Sequence, residues 1–307
     1  MTKSIAFSEY GSVDVLQLQD TPPPEPGPGQ VRIAVRASGV NSLDTKIRSG
    51  VMRQAFPVTL PHIPGTEAAG VIDALGEGVT GLTTGEPVFG PTLTGSYAQQ
   101  ALLSAELATI IPDPLGFEQA AALTVAAETS YRTLELLALR PGETLLIHAA
   151  AGGVGSIGGQ IAIARGITVI GTASEANHDY LRSLGVIPVT YGDGLAERVR
   201  AVAPGGIDAV LDASGRGVVG VSVELTGDPD RVVTIADNAG AAEYGVRFSG
   251  AAPGATRHVP ALEEALALFA AGKLKITIQR AYPLEQAAQA QREIEAGHVT
   301  GKIVLTV

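Results

Sequence analysis

A glycine-rich turn lies in the segment 144–164, TLLIHAAAGGVGSIGGQIAIA, between a short apolar run and an amphipathic helical pattern. Gly152, Gly153 and Gly155 let the backbone approach a ligand without a Cβ in the way. A helix that starts near Val154 would point its unpaired N–H groups and the positive end of its dipole at the same place. This combination is suited to binding a pyrophosphate.

The pattern around this turn is an imperfect dinucleotide motif. Ala150 stands where the first glycine of GxGxxG is expected. An apolar strand comes directly before the turn, and a second strand, 167–172, follows the helix, which gives the βαβ unit that dinucleotide binding requires. The alternative is a glycine-rich turn that only permits tight packing of the helix on the strand.

The order of elements along the chain predicts an α/β protein with two domains. The first hundred or so residues alternate short apolar runs with turns, which is typical of a β-rich domain. From Phe117 the composition changes to helix formers, and strands then alternate with helices, which indicates a parallel, doubly wound sheet. These strands are predicted at 144–148, 168–172, 188–190, 209–212 and 231–235. Helices at 259–271 and 284–295 follow, and we expect a terminal strand at 302–307 to return to the first domain.

Composition excludes several kinds of partner and site. The 307 residues are 45% hydrophobic and carry a formal net charge of −10, which argues against nucleic acid and anionic membranes as partners. No apolar run is long enough to span a bilayer, so we expect no membrane partner and a cytoplasmic location. The chain has no cysteine, which excludes thiolate ligands, and its five histidines lack the close spacing of a metal-binding helix. We therefore predict no metal site.

Four separated motifs resemble the medium-chain dehydrogenase/reductase superfamily, and specifically its zinc-free quinone oxidoreductase branch. They are SGVNSLDTKIRSG at 38–50, PGTEAAG at 64–70, HAAAGGVGSIGGQIA at 148–162 and GKIVLTV at 301–307. The resemblance implies a GroES-like β-rich catalytic domain built from residues 1–121 and 256–307, and an inserted Rossmann domain, with its doubly wound parallel sheet, at 122–255. It also implies an NADPH site in the cleft between these domains, and a homodimer.

The resemblance further predicts that the protein works without zinc. Zinc-dependent relatives carry a cysteine after the GV of the first motif and a histidine after the glycine of the second. Asn41 and Thr66 stand at these two positions here. An amide and a hydroxyl cannot replace thiolate and imidazole ligands, so zinc-assisted alcohol oxidation is excluded from the expected chemistry.

The residues after the second strand of the Rossmann domain favour NADPH over NADH. Rossmann domains that prefer NAD place a carboxylate there, which would repel a 2′-phosphate, whereas this chain has Ala173 and Ser174. Ser174 can donate to the phosphate, and Asn177 or His178 can approach it. No arginine or lysine lies in this loop, and Glu175 is close by.

Further cofactor contacts follow from the resemblance. The residues expected to bind NADPH are Asn41, Thr129, Gly152, Gly153, Val154, Ser174, His178, Tyr191, Ala213, Gly215, Ile235, Ala236, Asp237 and Lys302. Three of them have a plain structural alternative. His178 would be solvated at a helix start, Tyr191 would be an ordinary aromatic at a strand end, and Lys302 would be a solvated lysine on an edge strand.

The expected reaction is transfer of hydride from NADPH to a quinone or an α,β-unsaturated carbonyl, so the protein must stabilise charge on the acceptor oxygen. By the resemblance, Asn41, Asp44 and Lys46 border the cleft and are the candidate catalytic residues. The amide of Asn41 can donate to the ribose or the substrate, and the ammonium of Lys46 can stabilise an enolate or donate a proton. The alternative for Asp44 and Lys46 is a surface ion pair without a catalytic role.

Two other functions fit the same motifs. An NADPH-binding protein with little turnover would serve as a sensor or scaffold, and a biosynthetic enzyme would reduce or cyclise one dedicated substrate. Tyr97 is predicted either to line the acceptor pocket or to be a buried aromatic of the β-rich domain. His148 is expected to be structural.

Overall fold

The computed structural model describes residues 1–250 and 257–307. The chain forms two compact units, one built from Met1–Val125 and Ile276–Val307 and the other from Ala126–Lys275. The second unit is therefore an insertion in the sequence of the first. The division predicted from the sequence assigns residues 256–275 to the first domain, whereas the described part of this segment belongs to the second unit.

The elements follow the predicted order. The strands are β1 (Thr2–Ala6), β2 (Gln17–Thr21), β3 (Gln30–Val40), β4 (Glu67–Leu75), β5 (Pro87–Pro91), β6 (Gln100–Ser104), β7 (Thr109–Ile110), β8 (Thr144–His148), β9 (Thr168–Ala173), β10 (Ile187–Thr190), β11 (Ala209–Asp212), β12 (Val232–Thr234), β13 (Arg247–Phe248), β14 (Ile278–Pro283) and β15 (Lys302–Thr306). The helices are α1 (Ser42–Arg48), α2 (Phe117–Leu137), α3 (Gly153–Ala164), α4 (His178–Ser183), α5 (Leu195–Val202), α6 (Val219–Thr226), α7 (Asn238–Tyr244), α8 (His258–Ala270) and α9 (Ala287–Ala296).

The first unit is organised around a mostly antiparallel sheet with the order β14-β15-β3-β4-β5-β7, in which β6 also pairs with β3. Its buried face is lined by alternate residues of the long strand β3, Val31, Ile33 and Val35, as the period of a half-buried strand requires. The C-terminal strand β15 pairs antiparallel with β3, so that Ile303 lies opposite Val40. The prediction that the terminal strand returns to the first unit is confirmed, and this register brings Lys302 next to Asn41.

In its described residues, the second unit contains six parallel strands in the order β10-β9-β8-β11-β12-β13. Strands such as Ala209–Asp212 are buried along their whole length, as expected when helices cover both faces of a parallel sheet. The order reverses between β8 and β11, and ligands of open α/β sheets bind at the carboxyl ends of strands at such a point. The α/β fold class, with a GroES-like and a Rossmann part, is confirmed.

The structure contains elements that the sequence prediction did not include, such as β14 and β13. The parallel strand β13 was not predicted, because two exposed residues give no hydrophobic pattern. The predicted helix 284–295 begins instead with a short 3₁₀ turn, Leu284–Gln286, and α9 follows it. In the described residues, none of the helices is both long and apolar enough to cross a membrane.

Packing of α8 explains why residues 257–275 belong to the second unit. Arg165, at the end of α3, donates two hydrogen bonds to the carboxylate of Glu264 on α8, at 2.9 and 2.6 Å. Gln160 of α3 exchanges hydrogen bonds with the backbone of Lys275. Both contacts join segments that are far apart in the sequence, so composition alone does not reveal them.

Candidate functional site

The glycine-rich turn joins β8 to α3, as predicted, and its glycines have different structural roles. At Gly155 an added Cβ would lie 2.5 Å from the carbonyl oxygen of Ala149, so this glycine is required for close packing. At Gly152, the N-cap of α3, an added Cβ would meet only the Ala149 oxygen, at 3.4 Å. Gly152, Gly153 and Val154 are partly exposed. The N-terminus of α3 is therefore open to a ligand. A turn that served only tight packing would not need this exposure.

A second part of the site lies at the carboxyl ends of β11 and β12. The buried carboxylate of Asp212 accepts hydrogen bonds from the N–H groups of Ser214 and Gly215, at 2.8 and 3.2 Å, and from the hydroxyl of Thr234, at 2.8 Å. Gly215 has a φ of +61°, and a Cβ on it would lie 2.9 Å from the Cβ of Ala236. Asp212 therefore brings together the two segments predicted to contact the cofactor, 213–215 and 235–237.

Asp237 and Thr129, two other predicted cofactor residues, have local roles in the fold. Asp237 is the N-cap of α7 and accepts a hydrogen bond from the N–H of Gly240 at 2.8 Å. Thr129 is buried in α2, and its carbonyl accepts a hydrogen bond from the hydroxyl of Thr133. Glu128, beside Thr129, forms a buried ion pair with Arg132 at 2.9 Å, which leaves its charge compensated.

His148 lies at the end of β8 and is fully buried. Its Nε2 is 3.1 Å from the hydroxyl of Ser222, and its Nδ1 is 3.4 Å from that of Thr172. Burial lowers the pKa of His148 to about 4, although the charge of Asp212 opposes this shift. The imidazole is therefore neutral at pH 7, which agrees with the structural role predicted for it.

Three candidate residues of the first unit, Asn41, Asp44 and Lys302, belong to a polar cluster that is largely buried. The ammonium of Lys302 donates to Oδ1 of Asn41 and, at 2.8 Å, to Oε1 of Glu67. The amide of Asn41 donates to the same Glu67 oxygen at 2.9 Å, and the N–H of Val125 donates to the other at 2.7 Å. The positive charge of Lys302 at the amide oxygen and the negative charge of Glu67 at the amide nitrogen thus fix the orientation of the Asn41 side chain. Lys302 is 7% exposed and lies on an interior strand, so it is not a solvated edge lysine.

Asp44 extends this cluster into the core. As part of a capping box at the start of α1, its Oδ2 accepts a hydrogen bond from the N–H of Asn41 at 2.8 Å and one from the hydroxyl of Tyr97 at 3.1 Å. Its Oδ1 is buried and has no hydrogen-bond partner among the described residues. Burial raises the pKa of Asp44 to about 7, against the opposing effects of the Asn41 N–H and the Lys302 charge. Asp44 therefore exchanges a proton near neutral pH.

Lys46 does not join the cluster. It is partly exposed, and none of the ion pairs found in the described residues includes it. Asp44 is 1% exposed and bonds elsewhere, so the predicted alternative of a surface pair between these two residues does not occur. Tyr97 is fully buried, and burial together with the charge of Asp44 raises its pKa well above 10.

Sequence reasoning missed Glu67, which connects the other members of the cluster. A signal was available, since Glu67 is a lone charge at the start of the apolar strand EAAGVI. Its side chain passes over Gly39 of β3, where an added Cβ would lie 2.2 Å from Oε1. A buried charge in a strand requires a partner, but the sequence does not show that the partner is Lys302, 235 residues away.

Comparisons with known proteins agree with this architecture. A family model of the alcohol dehydrogenase GroES-like domain matches residues 27–113, and one described as zinc-binding dehydrogenase matches residues 184–305. A quinone oxidoreductase of Pseudomonas aeruginosa is 33% identical over 99% of this chain and 99% of its own length. The chain belongs to the quinone oxidoreductase family of medium-chain dehydrogenases/reductases.

Further similar proteins include one more quinone oxidoreductase and two proteins with other names. The crystal structure of Escherichia coli quinone oxidoreductase complexed with NADPH aligns with a TM-score of 0.89 and 29% identity, over 99% of this chain and 100% of that one. A pikromycin polyketide synthase component of Streptomyces venezuelae is 36% identical over 94% of this chain, which corresponds to 8% of the synthase. The rat synaptic vesicle membrane protein VAT-1 homolog is 31% identical over 99% of this chain and 83% of its own.

The name of the second family model raises the question of zinc, and the residues present do not fit it. Both polar ends of the Asn41 amide are occupied by Lys302 and Glu67, and a lysine ammonium, not a metal, neutralises the carboxylate. Thr66 offers only a hydroxyl where an imidazole would be needed. Across the described part of the chain, no three histidine or acidic side chains are grouped as metal ligands.

Proposed function

We propose that this protein is an NADPH-dependent reductase that transfers hydride to a quinone or an α,β-unsaturated carbonyl and uses no metal. The observation that carries the proposal is the open N-terminus of α3, where Gly152 leaves backbone N–H groups accessible although packing does not require a glycine there. Such a helix terminus suits a pyrophosphate. A similar protein of E. coli was crystallised with NADPH.

The same residues that sequence analysis selected would bind the cofactor. Gly152, Gly153 and Val154 would hold the pyrophosphate, and the segments 213–215 and 235–237, joined by Asp212, would contact the nicotinamide half. Ser174, His178 and Tyr191 would surround the adenosine phosphate, and Asn41, Thr129 and Lys302 would complete the set. NADPH, when bound, supplies the hydride.

The buried cluster of the first unit would serve the acceptor. Lys302 and Asn41 each retain an N–H beyond those that Glu67 and their mutual hydrogen bond occupy. Glu67 fixes both groups, so they can stabilise negative charge on an acceptor oxygen without reorganising. Asp44, which is poised to exchange a proton near pH 7, would contribute to the proton balance of the cluster. Lys46 is the remaining candidate, as a partly exposed proton donor.

The test is NADPH consumption at 340 nm against a panel of quinones and enones, together with direct titration of NADPH. Turnover with either class, unaffected by chelators, is the expected result. Tight NADPH binding with no turnover across the panel would contradict the reductase and favour the sensor or scaffold. Stoichiometric zinc in the purified protein, or loss of turnover on chelation, would contradict the metal-free proposal.

Enone reduction in a biosynthetic pathway is the second candidate, and similarity to a polyketide synthase component favours it. A marked preference for enone thioesters over quinones in the same panel would distinguish it. The homodimer is also a proposal, which sedimentation analysis tests, and the cytoplasmic location stays a prediction.

A further inference from the structure

The loop after β9 lacks a basic side chain, but a guanidinium from α5 reaches the neighbouring strand end. Nε of Arg198 donates to the carbonyl of Thr190 at 2.9 Å, and Nη1 donates to that of Asp193 at 2.7 Å. Nη2 donates to the carbonyls of Gly192 and Tyr191, at 3.1 and 3.3 Å. One side chain thus fixes four consecutive carbonyl groups at the end of β10.

The partners of Arg198 are neutral, which distinguishes it from other arginines nearby. Arg200 of the same helix pairs with Glu224, and Arg182 of α4 pairs with Asp179. Among the described residues, no carboxylate lies within ion-pair distance of Arg198. Carbonyl dipoles orient a guanidinium but do not cancel its charge, so Arg198 brings a positive charge to this edge of the sheet.

This edge is where the residues predicted to bind the adenosine phosphate meet. Thr190, the last residue of β10, lies in register with Ala173, the last residue of β9, and Ser174 follows directly. Nε2 of His178 is 3.5 Å from the hydroxyl of Thr190. Tyr191, whose carbonyl Arg198 binds, is 47% exposed and thus accessible to a ligand.

We propose that Arg198 determines the preference for a 2′-phosphate at this edge. It does so as a positioning residue, because it fixes the backbone that carries Tyr191, and it supplies the positive charge missing from the loop after β9. Glu175 in that loop carries a negative charge that would otherwise repel a phosphate. The inference rests on the proposed NADPH-dependent function and names the residue responsible for its cofactor choice.

The test uses two fragments and the full-length protein. Isothermal titration with 2′,5′-ADP, which carries the 2′-phosphate, is compared with titration with 5′-AMP, which lacks it. In Arg198→Ala we expect the affinity for 2′,5′-ADP to fall by at least about tenfold, which corresponds to about 1.4 kcal/mol, while the affinity for 5′-AMP changes by less than about twofold. Arg200→Ala removes an arginine from the same helix and should leave both affinities unchanged.

A second variant separates positioning from folding. Arg198→Lys keeps the charge but cannot bind four carbonyls, so it should retain part of the preference for 2′,5′-ADP, and this part should weaken as salt is added. Circular dichroism of each variant establishes that it is folded. If the lysine variant loses affinity for 2′,5′-ADP and for 5′-AMP equally, Arg198 only supports the fold, and the proposal is wrong.

Two further outcomes overturn the assignment in distinguishable ways. If the wild-type protein prefers 2′,5′-ADP and Arg198→Ala keeps that preference, Arg198 has no role in it, while the proposed NADPH dependence stands. If the wild-type protein binds both fragments with the same affinity, the proposed preference for NADPH over NADH is wrong, and so is the role of Arg198 in it.

Discussion

Replacement of Asp44 by asparagine tests whether a buried carboxyl in the cluster of the first unit titrates near neutral pH. Burial raises the pKa of Asp44 from 3.8 to about 7, and a shift of this size corresponds to about 4 kcal/mol. Because the folded state binds the proton more tightly than the unfolded state, the stability linked to this group is fully present below pH 3.8. It is lost as the pH rises towards 7.

The asparagine variant keeps the two hydrogen bonds that Asp44 accepts. Its carbonyl can still accept from the N–H of Asn41 and the hydroxyl of Tyr97, while its NH₂ group replaces Oδ1, which has no partner in the part of the chain that the structure describes. An unpaired buried NH₂ costs about 1–3 kcal/mol at every pH. The variant cannot ionise, so it avoids the cost of burying the charge. At pH 8.5 we therefore expect it to be more stable than the wild type by about 1–3 kcal/mol.

The decisive quantity is the change in this difference with pH. Between pH 5 and pH 8.5 the stability of the asparagine variant relative to the wild type should rise by about 3 kcal/mol. Urea unfolding followed by far-UV circular dichroism measures it, since the chain has no tryptophan. Asp14→Asn is the control, because a hydrogen bond from Ser12 and the charge of Arg292 lower the pKa of this exposed carboxyl. The stability of this variant relative to the wild type should therefore change little over the same pH range, and in the opposite direction. A constant difference for Asp44→Asn would refute the reasoning.

Three other substitutions test separate parts of the structure. Glu67→Gln leaves the ammonium of Lys302 without its counter-charge and should destabilise the protein by about 3–5 kcal/mol; adding Lys302→Met should recover part of this loss in thermal melts. His148→Asn removes a group whose pKa burial lowers to about 4. Wild-type stability linked to this histidine is present above pH 6.5 and lost as the pH falls towards 4. Between pH 7 and pH 5 the free energy of unfolding should therefore fall by about 2 kcal/mol less in the variant than in the wild type. Ser174→Asp should lower the ratio of NADPH to NADH affinity roughly tenfold by repelling the 2′-phosphate, and an unchanged ratio in fluorescence titrations would show that the loop is misassigned.

The pattern of the Rossmann sheet was readable from the sequence because its strands are continuous apolar runs separated by helices. The strands 144–148 and 209–212 were placed correctly to the residue, since burial on both faces leaves few polar residues inside them. The same reasoning could not find β13, whose two residues carry no periodic signal.

The candidate site was only partly predictable. Asn41, Asp44 and Lys302 were selected from local motifs, because both residue chemistry and family resemblance can be recognised within a short segment of sequence. They did not show that Lys46 stays outside the cluster, that Glu67 connects its members, or that Tyr97 bonds to Asp44. These contacts join residues that are distant in the chain, and strand register decides them.

The amino-acid sequence by itself determined the order of strands and helices, the glycine-rich turn between β8 and α3, and the absence of cysteine and histidine at positions 41 and 66, because these depend on local pattern and residue chemistry. Only the tertiary structure decided which charges are buried together. The antiparallel register of β15 on β3 brings Lys302 to Asn41 and Glu67, and α5 brings Arg198 to the end of β10. Burial then sets the pKa of Asp44, because a carboxyl loses its hydration only when the fold closes around it.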